Sequence, residues 1–526
     1  MLEIIKKHSK IFFLILVVVV SIPAILNLLQ PGFPLTDDGN WMVIRFSAFY
    51  ESLKAGQFPV RFLMRLNNGY GYPVSDFLYP LFMYLATPLQ ILGIGFVNSI
   101  KAILILSLIS SSIFTFLWLR KLFDDLSSFV GSFFYTFFPY HLFDVYKRGS
   151  VGEVLSLSVL PFVLWQIERK SLFWSSVGIS FLILSHNSLA VLFLSVILIY
   201  MFINIYLTDN KKALLIKYLS ILVFGFGLSS FFAIPAVFDL QYTVFNKTVV
   251  SDFTQHFSGL GLIGLPSALV IICTFILIFT KHIKIKTQKL TLVFLTLSLI
   301  SIFLAIPQSE LIWKILPVSF IQFPFRVLSL TVLSISFLAA CIIFVLPKKH
   351  KIFMTVMLLI IVLVYSLPYL KVTSIQNYPD TFYSTNQDTT TVKNEYMPKW
   401  VKNIPSSMYN AKVENLSGGE EINISEVSPN KTVFSVYLTK QSEIAVNTIY
   451  FPGWLAYVND KKVDINYEND KGTINLILNK GENNVRVEFG ETNIRNLSNI
   501  ISVASLILLI IASFPMFKNM KKLVKI

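Results

Sequence analysis

The amino-acid sequence predicts a polytopic α-helical membrane protein with a β-rich domain near its C-terminus. Of the 526 residues, 54% are hydrophobic, 48 are Phe and only 14% are charged, which is typical of a chain embedded in lipid. Apolar runs long enough to cross a ~30 Å hydrocarbon core as helices recur along the chain. Residues 369–496 are polar instead and contain alternating apolar positions.

The apolar runs predict about twelve transmembrane helices. The first is expected to remain as an uncleaved helix, because no small-x-small cleavage pattern follows it. A further run, Phe77–Phe96, is interrupted by Pro80 and Pro88, and we predict a re-entrant or juxtamembrane helix there. The predicted spans are 11–29, 99–118, 127–142, 154–167, 172–186, 189–207, 213–235, 262–280, 290–306, 327–346, 352–368 and 497–517.

Basic residues predict the orientation of these spans. With twelve crossings, about half of the 44 Lys and Arg residues fall on one side of the membrane. The positive-inside rule makes that side cytoplasmic, so we expect a multi-pass plasma-membrane protein with both termini in the cytoplasm. The loop 31–98 and the β-rich segment are then extracytoplasmic. The basic clusters lie at 6–10, 120–121, 169–170, 211–217, 281–289, 348–351 and 518–525.

The same patterns argue against several classes of function. The net charge of +15 comes largely from topology-setting loops, which argues against nucleic acid as a partner. Cys273 and Cys341 lie within apolar runs, so neither a disulfide nor a thiolate metal site is predicted. Ionisable residues are nearly absent from the middle of the spans, unlike in most pumps and secondary transporters. A site at the extracytoplasmic membrane surface is favoured.

An acidic pair, Asp37 and Asp38, follows the first span at the membrane interface. The spacing of apolar residues after it predicts an amphipathic helix over Asp38–Ala55 that lies along the interface. The acids, like Thr36, are suited to cap that helix, because such side chains accept backbone hydrogen bonds at a helix start. Alternatively, one acid is catalytic. Arg45, seven residues after Asp38, is expected on the same helix face.

Further polar side chains are predicted to reach the extracytoplasmic face. They occur in the turn-rich first loop and in three short segments between later spans. Aromatic rings in the first loop could anchor the chain at the interface or form a platform for a sugar. The candidates for substrate binding are Arg45, Arg61, Tyr70, Tyr72, Asp144, Arg148, Glu153, His186, Asn187, Gln322 and Arg326.

The polar segment is predicted to form a separate β-sandwich-like domain. Strands are expected around 434–438, 444–450, 474–478 and 485–489, with turns at 459–460 and 479–481. Trp400 and Trp454 are expected in its core. The predicted domains are a transmembrane domain over 1–368, the β-rich domain over 369–496, and a final helix with a basic cytoplasmic tail over 497–526.

Several motifs resemble those of known membrane proteins. One group, the pyruvoyl-tetrahydropterin-synthase-related membrane proteins, is matched in the first loop and in three later motifs. A second group, the YfhO-type proteins, is matched in the β-rich domain. Both groups are similar to the GT-C superfamily of glycosyltransferases. The motifs are Asp37-Asp38-Gly39 with Arg45, Gly56–Arg61, Gly69–Pro73, Tyr140–Glu153, Leu184–Asn187 and Gln322–Arg326 for the first group, and Tyr450–Val458 with Gly481 for the second.

This resemblance implies a GT-C-like transmembrane domain and an enzyme that transfers sugar from a polyprenyl-phosphate-linked donor on the outer face. The catalytic acid of such enzymes maps onto Asp37 or Asp38, which would accept a proton from the attacking hydroxyl. Arg148 and Arg326 are the candidates to meet the charge of the leaving phosphate. His186 could donate to the phosphate, hold a divalent ion such as Mg or Mn with the two acids, or be structural.

The expected partners are membrane lipids, a lipid-linked sugar and an extracytoplasmic acceptor glycan, lipid or protein. No nucleotide cofactor is expected, because no nucleotide-binding glycine loop is visible and a lipid-linked donor needs none. Two non-enzymatic alternatives are a lipid or polymer translocator, which should show polar residues along a path through the bilayer, and a cell-envelope assembly scaffold, in which the acids are helix caps. Convergence of the candidate residues in space would favour the enzyme over the scaffold.

Overall fold

The computed structural model describes residues 9–245, 253–279, 285–315, 321–418 and 420–513. These residues form a mostly helical bundle and a C-terminal β-sheet region, as the composition predicts. The helices are α1 Ser9–Ser21, α2 Gly39–Lys54, α3 Leu81–Ile91, α4 Phe96–Leu119, α5 Asp125–Phe137, α6 Pro139–Phe143, α7 Val151–Glu168, α8 Leu172–Ser185, α9 Asn187–Leu207, α10 Lys211–Phe238, α11 Leu260–Ile263, α12 Leu265–Phe279, α13 Ile285–Ala305, α14 Glu310–Ile315, α15 Leu328–Val345, α16 Lys348–Leu370, α17 Asp380–Thr385 and α18 Asn493–Ser513.

Within the described ranges, eight helices are long and apolar enough to cross a membrane, judged by length and composition. They are α4, α7, α9, α10, α13, α15, α16 and α18. The prediction of a mostly helical chain with several helices able to cross a membrane is therefore confirmed, while the count of twelve spans stays a prediction. The basic clusters at the two termini, part of the 281–289 cluster and the end of the last predicted span lie outside the described residues.

The basic loops meet at one end of the bundle, which we call the basic end. Lys351, at the start of α16, lies 2.5 Å from the carboxylate of Asp124, just before α5. Lys289, near the start of α13, lies 4.0 Å from the ring centroid of Tyr206, at the end of α9. The opposite end, which we call the site end, holds the end of α8 and the starts of α7, α9 and α15.

Prolines end several helices before the apolar runs end. α1 stops at Ser21 and gives way to 3-10 turns over Ile22–Ala24, which contains Pro23, and Leu26–Leu29, so the predicted helix over 11–29 is too long. The run 127–142 breaks at Phe138, whose extended ψ of 133° is the conformation that the following proline favours. α3 has 11 residues, about 16 Å, which is too short to cross the bilayer.

The helix after the acidic pair is more deeply buried than its amphipathic pattern suggests. It forms over Gly39–Lys54, within one residue of the predicted bounds. Residues 42–49 are all buried, because α4 and the short helix α17 pack against α2. The prediction of a helix with one face open at the membrane interface is therefore wrong for the centre of α2.

The C-terminal β region contains two antiparallel sheets, and the four predicted strands correspond to β5, β6, β9 and β10. A five-stranded sheet has the order β4-β5-β10-β7-β8 and a three-stranded sheet the order β3-β6-β9, while β1 and β2 pair separately. The strands are β1 Phe33–Pro34, β2 Ile375–Gln376, β3 Val413–Asn415, β4 Ile422–Ser428, β5 Lys431–Leu438, β6 Ser442–Ile449, β7 Trp454–Val458, β8 Lys461–Val463, β9 Thr473–Leu478 and β10 Gly481–Phe489.

The predicted turns are present, but one connects different sheets. Asn459 and Asp460 both have positive φ and join the paired strands β7 and β8, as a tight hairpin turn requires. The turn at 479–481 leads from the three-stranded sheet to the five-stranded sheet, so it does not form a hairpin. Trp454 is buried against Phe62 of the first loop, whereas Trp400 is only partly buried.

A buried ion network joins the β region, the first loop and the bundle. The guanidinium of Arg495, in α18, donates to Asp239 at 2.9 Å and to Asp76 at 3.2 Å. Arg61 binds the other oxygen of Asp76 at 3.3 Å and Glu491 at 3.2 Å. Three segments that are distant in sequence, 61–76, the end of α10 and 491–495, are therefore held together by charge-assisted hydrogen bonds.

We expect Arg495→Met to lower the free energy of unfolding by about 3–5 kcal/mol, because it leaves the buried carboxylate of Asp239 without its cation and takes one of two cations from Asp76. Thermal unfolding of the purified protein in detergent measures the change. Lys431→Met is the matched control: it removes a cation from a solvent-accessible pair with Glu426, which is worth about 1 kcal/mol or less. Equal shifts in melting temperature for the two variants would contradict the structural role of the network.

Candidate functional site

The acidic pair lies beside the segment that precedes α7. The backbone N–H groups of Asp37 and Asp38 donate to the carbonyls of Lys147 and Arg148 at 2.9 and 2.8 Å. Gly149 follows with a φ of +64°, and a Cβ there would lie 2.2 Å from the hydroxyl oxygen of Thr36. Only glycine allows this close approach.

Thr36 provides the side-chain cap of α2. Its hydroxyl oxygen accepts a hydrogen bond from the N–H of Gly39 at 3.1 Å. Asp38 occupies the N-cap position, but its side chain makes no capping hydrogen bond. The capping interpretation therefore does not account for the carboxylate of Asp38.

The two acids have different surroundings. Asp37 is exposed and lies 3.3 Å from the ammonium of Lys147, which is also exposed. Asp38 is 22% exposed and accepts a hydrogen bond from Arg148 at 2.9 Å. Burial raises the pKa of Asp38, and the charge of Arg148 opposes that shift. The structure thus separates a surface carboxylate from one that faces the interior.

A buried chain of charges continues from Asp38. Arg148 also lies 3.8 Å from Glu153, which is fully buried at the start of α7. Arg326, just before α15, donates to Glu153 at 2.8 and 3.1 Å. Tyr140 donates to the second carboxylate oxygen of Glu153 at 3.1 Å. Residues from three separate segments, the first loop, 140–153 and 322–326, therefore converge at the site end.

Aromatic rings cover the two arginines. The guanidinium of Arg148 lies 4.9 Å from the ring centroid of Phe323 and 5.5 Å from that of Phe325. Arg326 lies 5.0 Å from the ring of Phe323. Gln322, which has a positive φ of 66°, accepts a hydrogen bond from Arg326 at 3.1 Å. The motif 322–326 was singled out in the sequence, but the cation–π role of its phenylalanines was missed.

Asp144 is a fully buried acid next to this cluster. Within the described part of the chain, neither carboxylate oxygen has a hydrogen bond of good geometry, although the hydroxyl of Tyr140 adjoins it. Burial, and next the charge of Glu153, raise the pKa of Asp144, while Arg148 opposes the shift.

His186 and Asn187 mainly support the turn between α8 and α9. The Nδ1 atom of His186 accepts the N–H of Leu189 at 3.4 Å, and its ring lies 4.5 Å from that of Tyr79. Its Nε2 atom is 3.7 Å from Glu153. Asn187 donates to the carbonyl of Phe77 at 2.8 Å.

The structure does not support the suggested metal site. Asp37 points to the surface towards Lys147, and His186 lies against Glu153. Among the described residues, no group of three or more His, Cys, Asp or Glu side chains could hold a metal ion. The set Asp37, Asp38 and His186 is therefore not a preformed metal site.

Four predicted binding residues lie outside the cluster. Arg45 is buried and donates to the hydroxyl and carbonyl of Thr390. Arg61 belongs to the ion network described above. Tyr70 and Tyr72 are buried too, and their polar atoms bind the segment that follows α16. These contacts are Tyr70 O with Ile449 N, Tyr70 Oη with Lys471 Nζ, Tyr72 Oη with Tyr396 N and Tyr72 Oη with Thr391 Oγ1. The structure therefore places these four side chains in contacts between the first loop and later segments of the chain, away from the cluster, and their role as substrate ligands stays a prediction.

Comparison with known proteins gives little functional information. No family model matches the chain. A protein of Lactococcus lactis subsp. cremoris (strain MG1363), named only as an uncharacterized protein, is 24% identical over an alignment of 341 residues that covers 58% of this chain. The match spans 55% of that relative's own length. The functional argument therefore depends on the geometry of the site.

The arrangement suits proton transfer beside a developing negative charge. Asp38 combines partial exposure with a single strong ion pair, so one carboxylate oxygen can face an incoming molecule. The Nε of Arg148 is buried and has no hydrogen-bond partner among the described residues. Carboxylate and guanidinium groups side by side can accept a proton and stabilise an anionic oxygen.

Proposed function

We propose that the chain is a membrane glycosyltransferase that moves a sugar from a polyprenyl-phosphate-linked donor to an extracytoplasmic acceptor, with inversion at the anomeric carbon. The observation that carries this proposal is the contact between Asp38 and Arg148, because Asp38 does not cap α2 and faces a buried cation at the end of the bundle. The resemblance of the surrounding motifs to GT-C-type proteins also supports it.

In the proposed reaction, an acceptor hydroxyl attacks the anomeric carbon of the donor. Asp38 accepts the hydroxyl proton as the new C–O bond forms. The bond between the anomeric carbon and the phosphate oxygen breaks, and its electron pair leaves with the lipid phosphate. Arg148 stabilises the growing phosphate charge, while Arg326 and Glu153 act as positioning residues that hold Arg148.

We also propose that the shorter apolar helices α1, α8 and α12 and the run α5–α6 cross the membrane, which gives twelve spans. The basic end would be cytoplasmic, and the site end and a β-sandwich-like domain extracytoplasmic, because positively charged loops are retained inside. Both termini would be cytoplasmic. Donor lipid would then reach Asp38 from the outer leaflet, next to an extracytoplasmic acceptor.

Cysteine labelling on intact cells tests this orientation. In a background without Cys273 and Cys341, we expect Asp209→Cys, at the basic end, to be shielded from a membrane-impermeant thiol reagent. Gln308→Cys and Lys461→Cys are expected to react. All three positions are exposed, so burial does not explain a difference. Reaction of Asp209→Cys from outside would overturn the orientation.

Mass spectrometry of envelope glycans from cells with and without the chain tests the function most broadly. We expect a defined sugar to disappear from one glycan, glycolipid or glycoprotein when the gene is deleted and to return with the wild-type chain. Restoration by Asp38→Asn, at matched protein amounts, would favour an assembly scaffold over an enzyme.

A further inference from the structure

The basic end contains a cavity of about 390 Å³ that the transferase proposal does not use. It lies between the start of α1, the end of α4 and the end of α7. Four of its six lining residues are cationic, and the other two are apolar. The lining residues are Lys10, Leu117, Arg120, Lys121, Trp165 and Arg169.

The charges in this cavity are only partly neutralised. Arg120 pairs with Asp125, which also accepts a hydrogen bond from Ser9. Within the described residues, Lys10, Lys121 and Arg169 form no ion pair with an acid. Three converging cations that lack an acidic partner in the described part of the chain create a positive potential that favours an anion.

The wall of the cavity is amphipathic. The guanidinium of Arg169 lies 5.0 Å from the ring centroid of Trp165. Trp165 in turn stacks on Phe114 at 6.0 Å, which extends an apolar surface along α4 towards the bundle centre. A tryptophan at the level of the lipid headgroups, with cations on its solvent side and apolar rings on its bilayer side, suits the binding of a phosphate that carries acyl chains.

We propose that this cavity binds the phosphate headgroup of an anionic phospholipid in the leaflet at the basic end. Its position at the opposite end of the bundle from Asp38 makes it independent of the proposed transferase activity. The phosphate would lie among Lys10, Lys121 and Arg169, and an acyl chain would follow Leu117 and Trp165. A free phosphate offers the same charge but has no acyl chain to use the apolar wall.

Native mass spectrometry of the purified full chain tests the proposal, with phosphatidylglycerol and phosphatidylcholine of the same acyl chains as probes. The test variant replaces Lys10, Lys121 and Arg169 by Gln. Each basic residue near an anionic headgroup is worth about 1 kcal/mol, or roughly fivefold in affinity, so the triple variant should bind phosphatidylglycerol on the order of 100-fold more weakly.

The matched control replaces three exposed lysines of the same end, Lys211, Lys212 and Lys349, by Gln, which changes the net charge equally. We expect its phosphatidylglycerol affinity to stay near the wild-type value. Equal weakening in both triple variants would show diffuse surface attraction and overturn the site. The proposal would also be overturned if the wild-type protein bound phosphatidylglycerol and phosphatidylcholine equally. Displacement of bound phosphatidylglycerol by an equal concentration of inorganic phosphate would overturn it too.

Discussion

Asp38→Asn is expected to reduce sugar transfer by about 10²–10⁴-fold, the usual contribution of a positioned general base. The substitution keeps the size of the side chain but removes its basicity and charge. Asp37→Asn is the matched control, because Asp37 has the same chemistry one residue earlier but points to the surface towards Lys147. Transfer from a polyprenyl-phosphate-linked sugar in reconstituted membranes, at equal amounts of folded protein, measures both.

The stability of the Asp38→Asn variant provides a second readout. A raised carboxyl pKa in the folded state means that stability falls as pH rises through that pKa, because ionisation is harder in the folded protein. Asn does not ionise, so the Asp38→Asn variant does not carry this cost of ionisation at neutral pH. We therefore expect no loss of thermal stability from this source. Full activity in Asp38→Asn, or equal losses in the two Asn variants, would remove Asp38 from the chemistry.

Arg148→Met is expected to lower the rate of transfer by about 10²–10³-fold, the cost of removing one donor that stabilises a developing anion. Lys147→Met is the matched control, because Lys147 is the exposed neighbour of Arg148 and contacts Asp37. The assay is the same transfer reaction, measured across a range of pH.

The pH profile separates an effect on chemistry from a loss of structure. Arg148 lowers the pKa of Asp38 against the larger effect of burial. Without Arg148, that pKa should rise further, and the acidic limb of the profile should move to higher pH. Lys147→Met should leave the limb unchanged. An acidic limb that stays in place in Arg148→Met would contradict the assignment of that limb to Asp38.

The sequence predicts the elements whose determinants are local. Alternating apolar residues identify β5, β6, β9 and β10, because period two places one face of each strand in the core. Hydropathy locates the long helices, since a membrane span is a property of composition. The predicted span parity also places the segments of Asp38, Arg148, Glu153 and Arg326 at one end of the bundle, where their side chains are found together.

Contacts between distant segments were not predictable in the same way. Arg45 shares a helix with the catalytic candidate, but its partner Thr390 lies 345 residues later. Arg495 was not singled out at all, because Asp76 and Asp239 are separated from it by 419 and 256 residues. Spacing along one helix gives no information about such partners.

Which side chain caps α2 depends on local geometry that spacing does not reveal. Thr36, Asp37 and Asp38 are all good capping residues. The close approach at Gly149 places Thr36 in the capping position and turns Asp38 towards Arg148. Gly149, at the end of the motif 140–149, was the signal in the sequence for this close approach. It can be interpreted only once Thr36 is known to lie beside it.

The central claim is that the chain breaks the bond between a sugar and a lipid phosphate. Its most direct test is to supply a radiolabelled polyprenyl-phosphate sugar to proteoliposomes and to count released polyprenyl phosphate and glycosylated acceptor together. We predict one polyprenyl phosphate released per sugar transferred by the wild-type chain and by Asp37→Asn, and both products reduced together by about 10²–10⁴-fold in Asp38→Asn. Movement of the intact donor across the bilayer without release of polyprenyl phosphate would contradict the account and identify a translocator.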